Sequence, residues 1–357
     1  MLNVTVFFPE QGYASTAVAP IEVFHSVGRV TNLLRGAAPA PRFDVTPVSL
    51  TGRQVRASYG LGVATEHSIH DIRDTDIIFV ATAPLETDAA IAANRAALPW
   101  LRRWRDRGAA IAAVCTGVAL LAEAGLLDGK KATTHWALAD AYARRYPKAD
   151  WRPDVFVTED DGIFCGGGVY SSIDLSLYLV EKFCGHDAAR DCARTLLIDM
   201  PRTWQSGYAV LPLSRPHADS EIRKAESWLQ GHYREAIRLE DVAARFGMSA
   251  RTFERRFKAA TGEKPLAYAQ RLRVAMAKQM LETGARSVQE VSSAVGYGDL
   301  AFFRTVFKRH TGVAPADYRA RFGASSPEPA PRRRRTVPRR RRAKPAPSGT
   351  NRRAGAR

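Results

Sequence analysis

The sequence predicts a doubly wound α/β domain with a parallel sheet, then an all-α domain holding two helix-turn-helix motifs, then a disordered basic tail. Three observations lead there. Over residues 1–199, apolar β-branched runs alternate with helical patterns, the arrangement of a parallel sheet covered by helices. Between Leu239 and Phe322 one stretch is written twice. Charge is also segregated. Residues 1–216 carry 22 Lys and Arg against 23 Asp and Glu, residues 217–323 carry 19 against 12, and residues 324–357 carry 12 against 1. The net charge of +17 therefore sits in the helical domain and the tail, which points to a polyanionic partner.

In the first domain, Asn3–Pro9 reads as a buried strand and Thr16–Val27 as a helix. Phe43–Leu50 and Val63–Glu66 are further strand candidates, and Asp76–Ala81 has the composition of a central parallel strand. Ala97–Arg107 is a helix closed by Gly108, Ala109–Val114 a buried strand, and Thr116–Ala124 a helix stopped by Gly125. Thr133–Arg145 reads as helical, Val155–Thr158 and Ile163–Cys165 as a strand pair, and Ser172–Phe183 as the last helix. Folds of this kind bind ligands at the carboxyl ends of their strands.

Cys115 lies at such an end. An apolar strand runs directly into Cys115-Thr116-Gly117, with small residues beside the turn, the form of a nucleophile elbow. A helix N-terminus behind the sulfur favours a thiolate. Three roles stay open for Cys115: nucleophile, wall of a small-molecule pocket, or packing residue. His135 is a possible base or a packing residue. Gly166-Gly167-Gly168 lacks dinucleotide-binding spacing and instead lets a loop pass near the elbow, bringing Tyr170, Ser171 and Ser172 with it. Asp174 reads as a helix-start residue.

In the repeat, Leu239, Val242, Ala243 and Phe246 fall at helical spacing, Gly247 ends that helix and Ser249 caps the next. Phe253, Phe257, Lys258, Thr261, Gly262, Pro265 and Tyr268 recur fifty positions on, as Phe303, Phe307, Lys308, Thr311, Gly312, Pro315 and Tyr318. The second copy has one extra residue in its turn, near Tyr297-Gly298-Asp299. Two helices around a tight Gly turn form a helix-turn-helix, whose second helix is shaped to enter a DNA major groove. Arginines on these helices suit guanine edges.

Residues 220–322 resemble the tandem helix-turn-helix domain of the AraC family of bacterial regulators, on the F-K-x-x-T-G-x-x-P-x-x-Y that ends each half. The resemblance implies seven helices in two subdomains joined by a long helix, here Pro265–Leu281. It also implies DNA contacts from Ser249, Arg251, Thr252, Glu254, Arg255 and Lys258 on the first motif, and from Ala301, Arg304, Thr305 and Lys308 on the second. Residues 1–185 resemble the DJ-1/PfpI branch of the class I glutamine amidotransferase-like superfamily, a flavodoxin-like sheet. The whole chain resembles GlxA-type regulators. The implied ligand pocket holds Thr16, Cys115, Thr116, His135 and Tyr170. Enzymes of that branch support their cysteine with an acid on the first helix; the matching position is the neutral Thr16, four before Pro20.

The expected organisation is a sensor domain over 1–199, a linker over 200–217, a DNA-binding domain over 218–323 and a tail over 324–357. The linker is aperiodic and Pro-rich, though Trp204 and Tyr208 are unusual for a free segment. The tail carries Arg332–Arg335 and Arg339–Arg342; it reads as a phosphate-binding arm or as a merely solvated segment. No stretch of eighteen apolar residues predicts a membrane span, and the first residues lack a secretory pattern. Cys115, Cys165, Cys184 and Cys192 lack metal-site spacing and are expected as free thiols in a cytoplasmic protein. The function expected is a sequence-specific transcription regulator, not an enzyme, with no cofactor or metal. Its expected partners are double-stranded DNA, a small-molecule effector, a second copy of the chain and RNA polymerase. Two other readings stand beside it: a cysteine-dependent hydrolase or hydratase fused to a DNA-binding domain, and an α/β domain that only dimerises.

Overall fold

In the computed structural model, residues 1–203, 205–208, 217–284 and 286–323 are described. Trp204, part of the linker and the whole basic tail lie outside them. Four parallel strands form the middle of the sheet: β1 (Leu2–Phe7), β2 (Phe43–Ser49), β6 (Ile77–Val80) and β7 (Ala110–Val114). A hairpin of β3 (Val55–Arg56) and β4 (Gly62–Val63) stands apart from it, and β5 (His67–Ser68) is the edge strand. Strands β8 (Lys131–Ala132) and β9 (Asp150–Trp151) form a small parallel pair, and β10 (Val157–Asp160) and β11 (Ile163–Gly166) complete the main sheet. The order is β10-β11-β7-β6-β1-β2-β5, parallel except for β10 against β11.

The central strands are apolar along their whole length because both faces are covered. On one face, α1 (Ser15–Ser26), α7 (Ser171–Cys184) and α8 (His186–Leu196) enclose Phe24, Phe43, Phe79, Phe164 and Leu177. Short α2 (Val30–Leu33) follows α1. On the other face, α3 (Thr87–Asn94), α4 (Ala97–Asp106) and α5 (Val118–Glu123) lie beside a cluster that includes Trp100, Leu101, Trp104, Ile111 and Leu120. Helix α6 (Ala139–Arg145) completes this domain.

Several local expectations are corrected. Val63–Glu66 is not a strand of the main sheet; only Val63 is in a strand, β4. A turn at Ser58–Gly60, with Tyr59 at φ 66°, folds β3 and β4 into their own hairpin, and His67–Ser68 takes the edge. Helix formation over Thr133–Arg145 begins only at Ala139. The Thr133 and Thr134 hydroxyls instead donate to Val155 O and Cys115 O, a competition to which hydroxyl residues are prone. The strand expected at Val155–Thr158 runs from Val157 to Asp160. Ser172–Phe183 is not the last helix of the domain: Gly185, at φ 89°, breaks the chain and α8 follows.

Seven further helices form the C-terminal part: α9 (Ser220–His232), α10 (Leu239–Arg245), α11 (Ala250–Thr261), α12 (Pro265–Thr283), α13 (Val288–Ala294), α14 (Leu300–Thr311) and α15 (Pro315–Phe322). The repeat is now visible as geometry. Phe253, Phe257 and Tyr268 stack in sequence, with ring centroids 5.5 and 5.3 Å apart. Phe303, Phe307 and Tyr318 do the same at 5.7 and 5.4 Å. The Thr-Gly pair also has one job in both halves. Thr261 Oγ1 donates to Phe257 O and accepts from Glu263 N, while Gly262 closes the helix at φ 85°. Thr311 and Gly312 repeat this, with Phe307 O, Val313 N and a φ of 79°. Pro265 and Pro315 then start the next helices, where a missing N–H is harmless.

Candidate functional site

Two sites are assembled, one at the carboxyl ends of β6 and β7 and one on α11 and α14. At the first, Cys115 follows β7 at φ 54°, a strained turn, and is 1 % exposed. Close packing forces this geometry. A Cβ on Gly117 would lie 2.3 Å from Ala81 O, and one on Gly12 would lie 2.0 Å from Thr82 O, so the loop after β6 touches both glycines. Thr116 Oγ1 donates to Ala83 O at 2.5 Å, and Thr16 Oγ1 donates to Tyr13 O and accepts from Thr82 N. Thr16 and Thr116 are thus buried brackets of the loop after β6.

The surroundings of the sulfur favour the neutral thiol. Burial pushes the Cys115 thiol up to about 11, and the Thr116 N–H, which favours the thiolate, does not offset it. His135 is half-buried, and burial lowers its pKa, so it is neutral at pH 7; its Nδ1 accepts from Ala137 N at 3.1 Å. The Gly-rich loop does pass close by: a Cβ on Gly168 would lie 3.1 Å from His135 Cδ2. Ser171 and Ser172 are buried, whereas Tyr170 is 67 % exposed. The cavity bounded by Phe8, Gly12, Tyr13, Ala57 and Thr82 measures about 10 Å³, room for no more than a water.

Tyr13, Thr82 and Tyr142 close in on the elbow and have no signature in the sequence. Burial pushes the Tyr142 hydroxyl up to about 12. The linker is the larger surprise, because its Arg202, Gln205 and Tyr208 are docked. Asp174, at the start of α7 as expected, is 5 % exposed and grips Arg202 through its amide at 2.8 Å and its guanidinium at 2.6 Å. That guanidinium lies 4.3 Å from the Phe156 ring and 5.5 Å from the Tyr208 ring. Gln205 is 1 % exposed, and its Nε2 donates to Thr133 Oγ1, Thr134 O and Val155 O. Tyr208 packs edge-on against Phe322 of α15, centroids 4.9 Å apart, and Lys278 of α12 donates to Ser206 O. The hint in the sequence was the pair of aromatic residues, Trp204 and Tyr208, in a segment that reads as a linker.

At the second site, Arg251, Arg255 and Lys258 project from α11 at i, i+4 and i+7. They are exposed and make no ion pair among the described residues. Ser249 caps the helix, accepting from Thr252 N, and also donates to Thr252 Oγ1. Glu254 pairs with Lys264 at 2.8 Å. Arg256 faces away and pairs with Asp219, which excludes it from the face. On α14, Ala301, Arg304, Thr305 and Lys308 share an exposed face. Asp299 caps that helix through the amides of Ala301 and Phe302.

An exposed basic helix held twice on an aromatic scaffold, joined to a flavodoxin-like sheet, defines a DNA-binding regulator with an attached α/β domain. Residues 12–182 match the DJ-1/PfpI family and residues 242–321 match a helix-turn-helix domain. The chain thus joins a DJ-1/PfpI domain to an AraC-type helix-turn-helix domain, and the relatives it resembles are transcriptional regulators. It is 28 % identical to the HTH-type transcriptional regulator CdhR of Pseudomonas aeruginosa, over 80 % of this chain and 84 % of the relative. It is 28 % identical to the regulator GlxA of Rhizobium meliloti, over 83 % and 90 %. The regulator GbdR of Pseudomonas aeruginosa is 26 % identical over 76 % and 73 %. Among the described residues no helix is long and apolar enough to cross a membrane, and no group of His, Cys, Asp and Glu is placed to hold a metal.

Proposed function

We propose that this regulator is ligand-responsive: residues 1–199 sense a small metabolite, and residues 218–323 transmit the signal to promoter DNA. The observation that carries the DNA half is the exposed row Arg251, Arg255 and Lys258 on α11, without an ion pair among the described residues, matched by Arg304 and Lys308 on α14. Two such helices fit successive major-groove segments about one turn (~34 Å) apart. Arg251 and Arg255 are the base readers; Lys258 and Lys308 hold phosphates. The protein acts in the cytoplasm, as a homodimer that meets RNA polymerase at its promoters.

The effector enters beside Cys115, with Thr16, Thr116, His135 and Tyr170 as its surroundings. The high thiol pKa and the neutral Thr16 favour a sensor over a cysteine-dependent hydrolase. Cys115, Thr16 and Thr116 are buried, so binding there opens the loops around the elbow. The chain Cys115 O–Thr134–Gln205–Tyr208–Phe322 offers a contiguous route by which that opening reaches α15. The test is binding of full-length protein to operator fragments, wild type against Arg255→Ala. A loss of affinity with relaxed preference at one position supports the reading; unchanged affinity and preference would refute the assignment of Arg255.

A further inference from the structure

The two recognition helices do not offer the same chemistry. Where the first motif has Arg251, Thr252, Glu254 and Arg255, the second has Ala301, Phe302, Arg304 and Thr305. Phe302 is 51 % exposed, on a helix whose other phenylalanines are fully buried. Its backbone is fixed: the Phe302 N–H donates to Asp299 Oδ1 at 3.2 Å, beside that of Ala301 at 2.7 Å. The ring rests on Tyr297, centroids 5.9 Å apart, and Tyr297 is itself 5 % exposed against Phe303. This pedestal belongs to the turn that is one residue longer in the second copy. The Thr305 hydroxyl donates back to Ala301 O at 3.0 Å, so its one hydrogen is engaged within the helix.

The exposed face of α14 is therefore an aromatic ring and small apolar groups set among Arg304, Lys308 and Arg309, with no acidic residue between Leu300 and Thr311. Cations at the flanks of an apolar centre complement a polyanion whose groove displays methyl groups. Within a DNA major groove, the thymine C5-methyl is that group, and phenylalanine and alanine are among the residues that contact it. We infer that Phe302, with Ala301 and the Thr305 methyl, reads thymine methyl groups in the half-site facing the second motif, while Arg251 and Arg255 read guanines in the first. The operator is accordingly asymmetric, with a guanine-bearing segment and a thymine-bearing segment. This inference rests on the regulator reading above and assigns the chemistry of its second half-site.

The experiment selects binding sites from random duplexes with the full-length protein. Arg255→Ala then identifies the half-site of the first motif by its relaxed guanine. Thymines of the other half-site are replaced by deoxyuridine, which removes only the methyl. The expected result is about a fourfold weaker affinity for each methyl in contact, with no such loss from the same replacement in the first half-site. Phe302→Ala is expected to bind thymine and deoxyuridine duplexes alike. Equal wild-type affinity for both duplexes would overturn the inference, as would undiminished discrimination by Phe302→Ala. A Phe302→Ala protein that keeps its discrimination on DNA but loses transcription with purified polymerase would assign the ring to a protein partner instead. Failure to select any two-segment site would overturn the regulator reading itself, a result distinct from a selected site lacking methyl dependence.

Discussion

Cys115 shows how far a single residue departs from its motif. The strand, the turn and the small neighbours are all in the sequence, and they do place Cys115 at a strained elbow with φ 54°. The state of the sulfur was not legible, because it depends on side chains distant in sequence that exclude water. Burial wins over the hydrogen bonds from the Thr116 amide and the Thr82 side chain, and raises the thiol to about 11. In native protein at pH 7.4 Cys115 should therefore alkylate far more slowly than a free thiol, with the rate climbing towards pH 11; mass spectrometry of the labelled peptide checks this. Rapid labelling at neutral pH would mean an activated cysteine. The same shift has a sign for stability: the neutral thiol favours the fold below the unfolded value near 9, and that contribution disappears as pH rises through about 11. Arg255→Ala should lower operator affinity by the loss of a bidentate guanine contact, about 1–3 kcal/mol. Gel-shift titration would read the change.

Single elements follow the sequence where the signal is local and repeated. The Phe-Phe-Tyr ladders and Thr-Gly closures are spelled out by spacing, since each contact lies within α11 or α14 or reaches only the next helix. Phe303 is fully buried between Tyr297 and Phe307. Phe303→Ala should cost about 3–5 kcal/mol, seen as a lower denaturant midpoint, and a change below about 1 kcal/mol would show that the ladder does not support the fold. Elements set by distant partners were not legible. Thr133 and Thr134 lie at helical spacing, yet their hydroxyls are taken by Val155 and Cys115. Helix α8 follows an interrupting Gly185 and shows no strong apolar run, so its buried small residues, Ala189, Cys192 and Ala193, give little signal.

Across the whole molecule, charge and function divide as the composition indicates, but the connection between the two parts does not. A Pro-rich aperiodic stretch reads as a free linker; instead Arg202, Gln205 and Tyr208 bind it to the sheet domain and bring it against α15. Only the aromatic residues Trp204 and Tyr208 hinted at this in the sequence, because the partners of Tyr208 lie up to 114 residues away. Tyr208→Ala should raise amide exchange in Pro315–Phe322 while leaving β7 protected; unchanged exchange there would show that the strap does not restrain α15. The central claim is that two recognition helices read one bipartite site. The most direct measurement is occupancy of the full-length protein across its own genome, followed by affinity for the top site over a salt series. The account predicts a few sharp sites, each with two segments about one turn (~34 Å) apart, and a preference over scrambled DNA that survives at high salt. Diffuse occupancy, no motif and binding that vanishes with salt at equal slope on any sequence would contradict it.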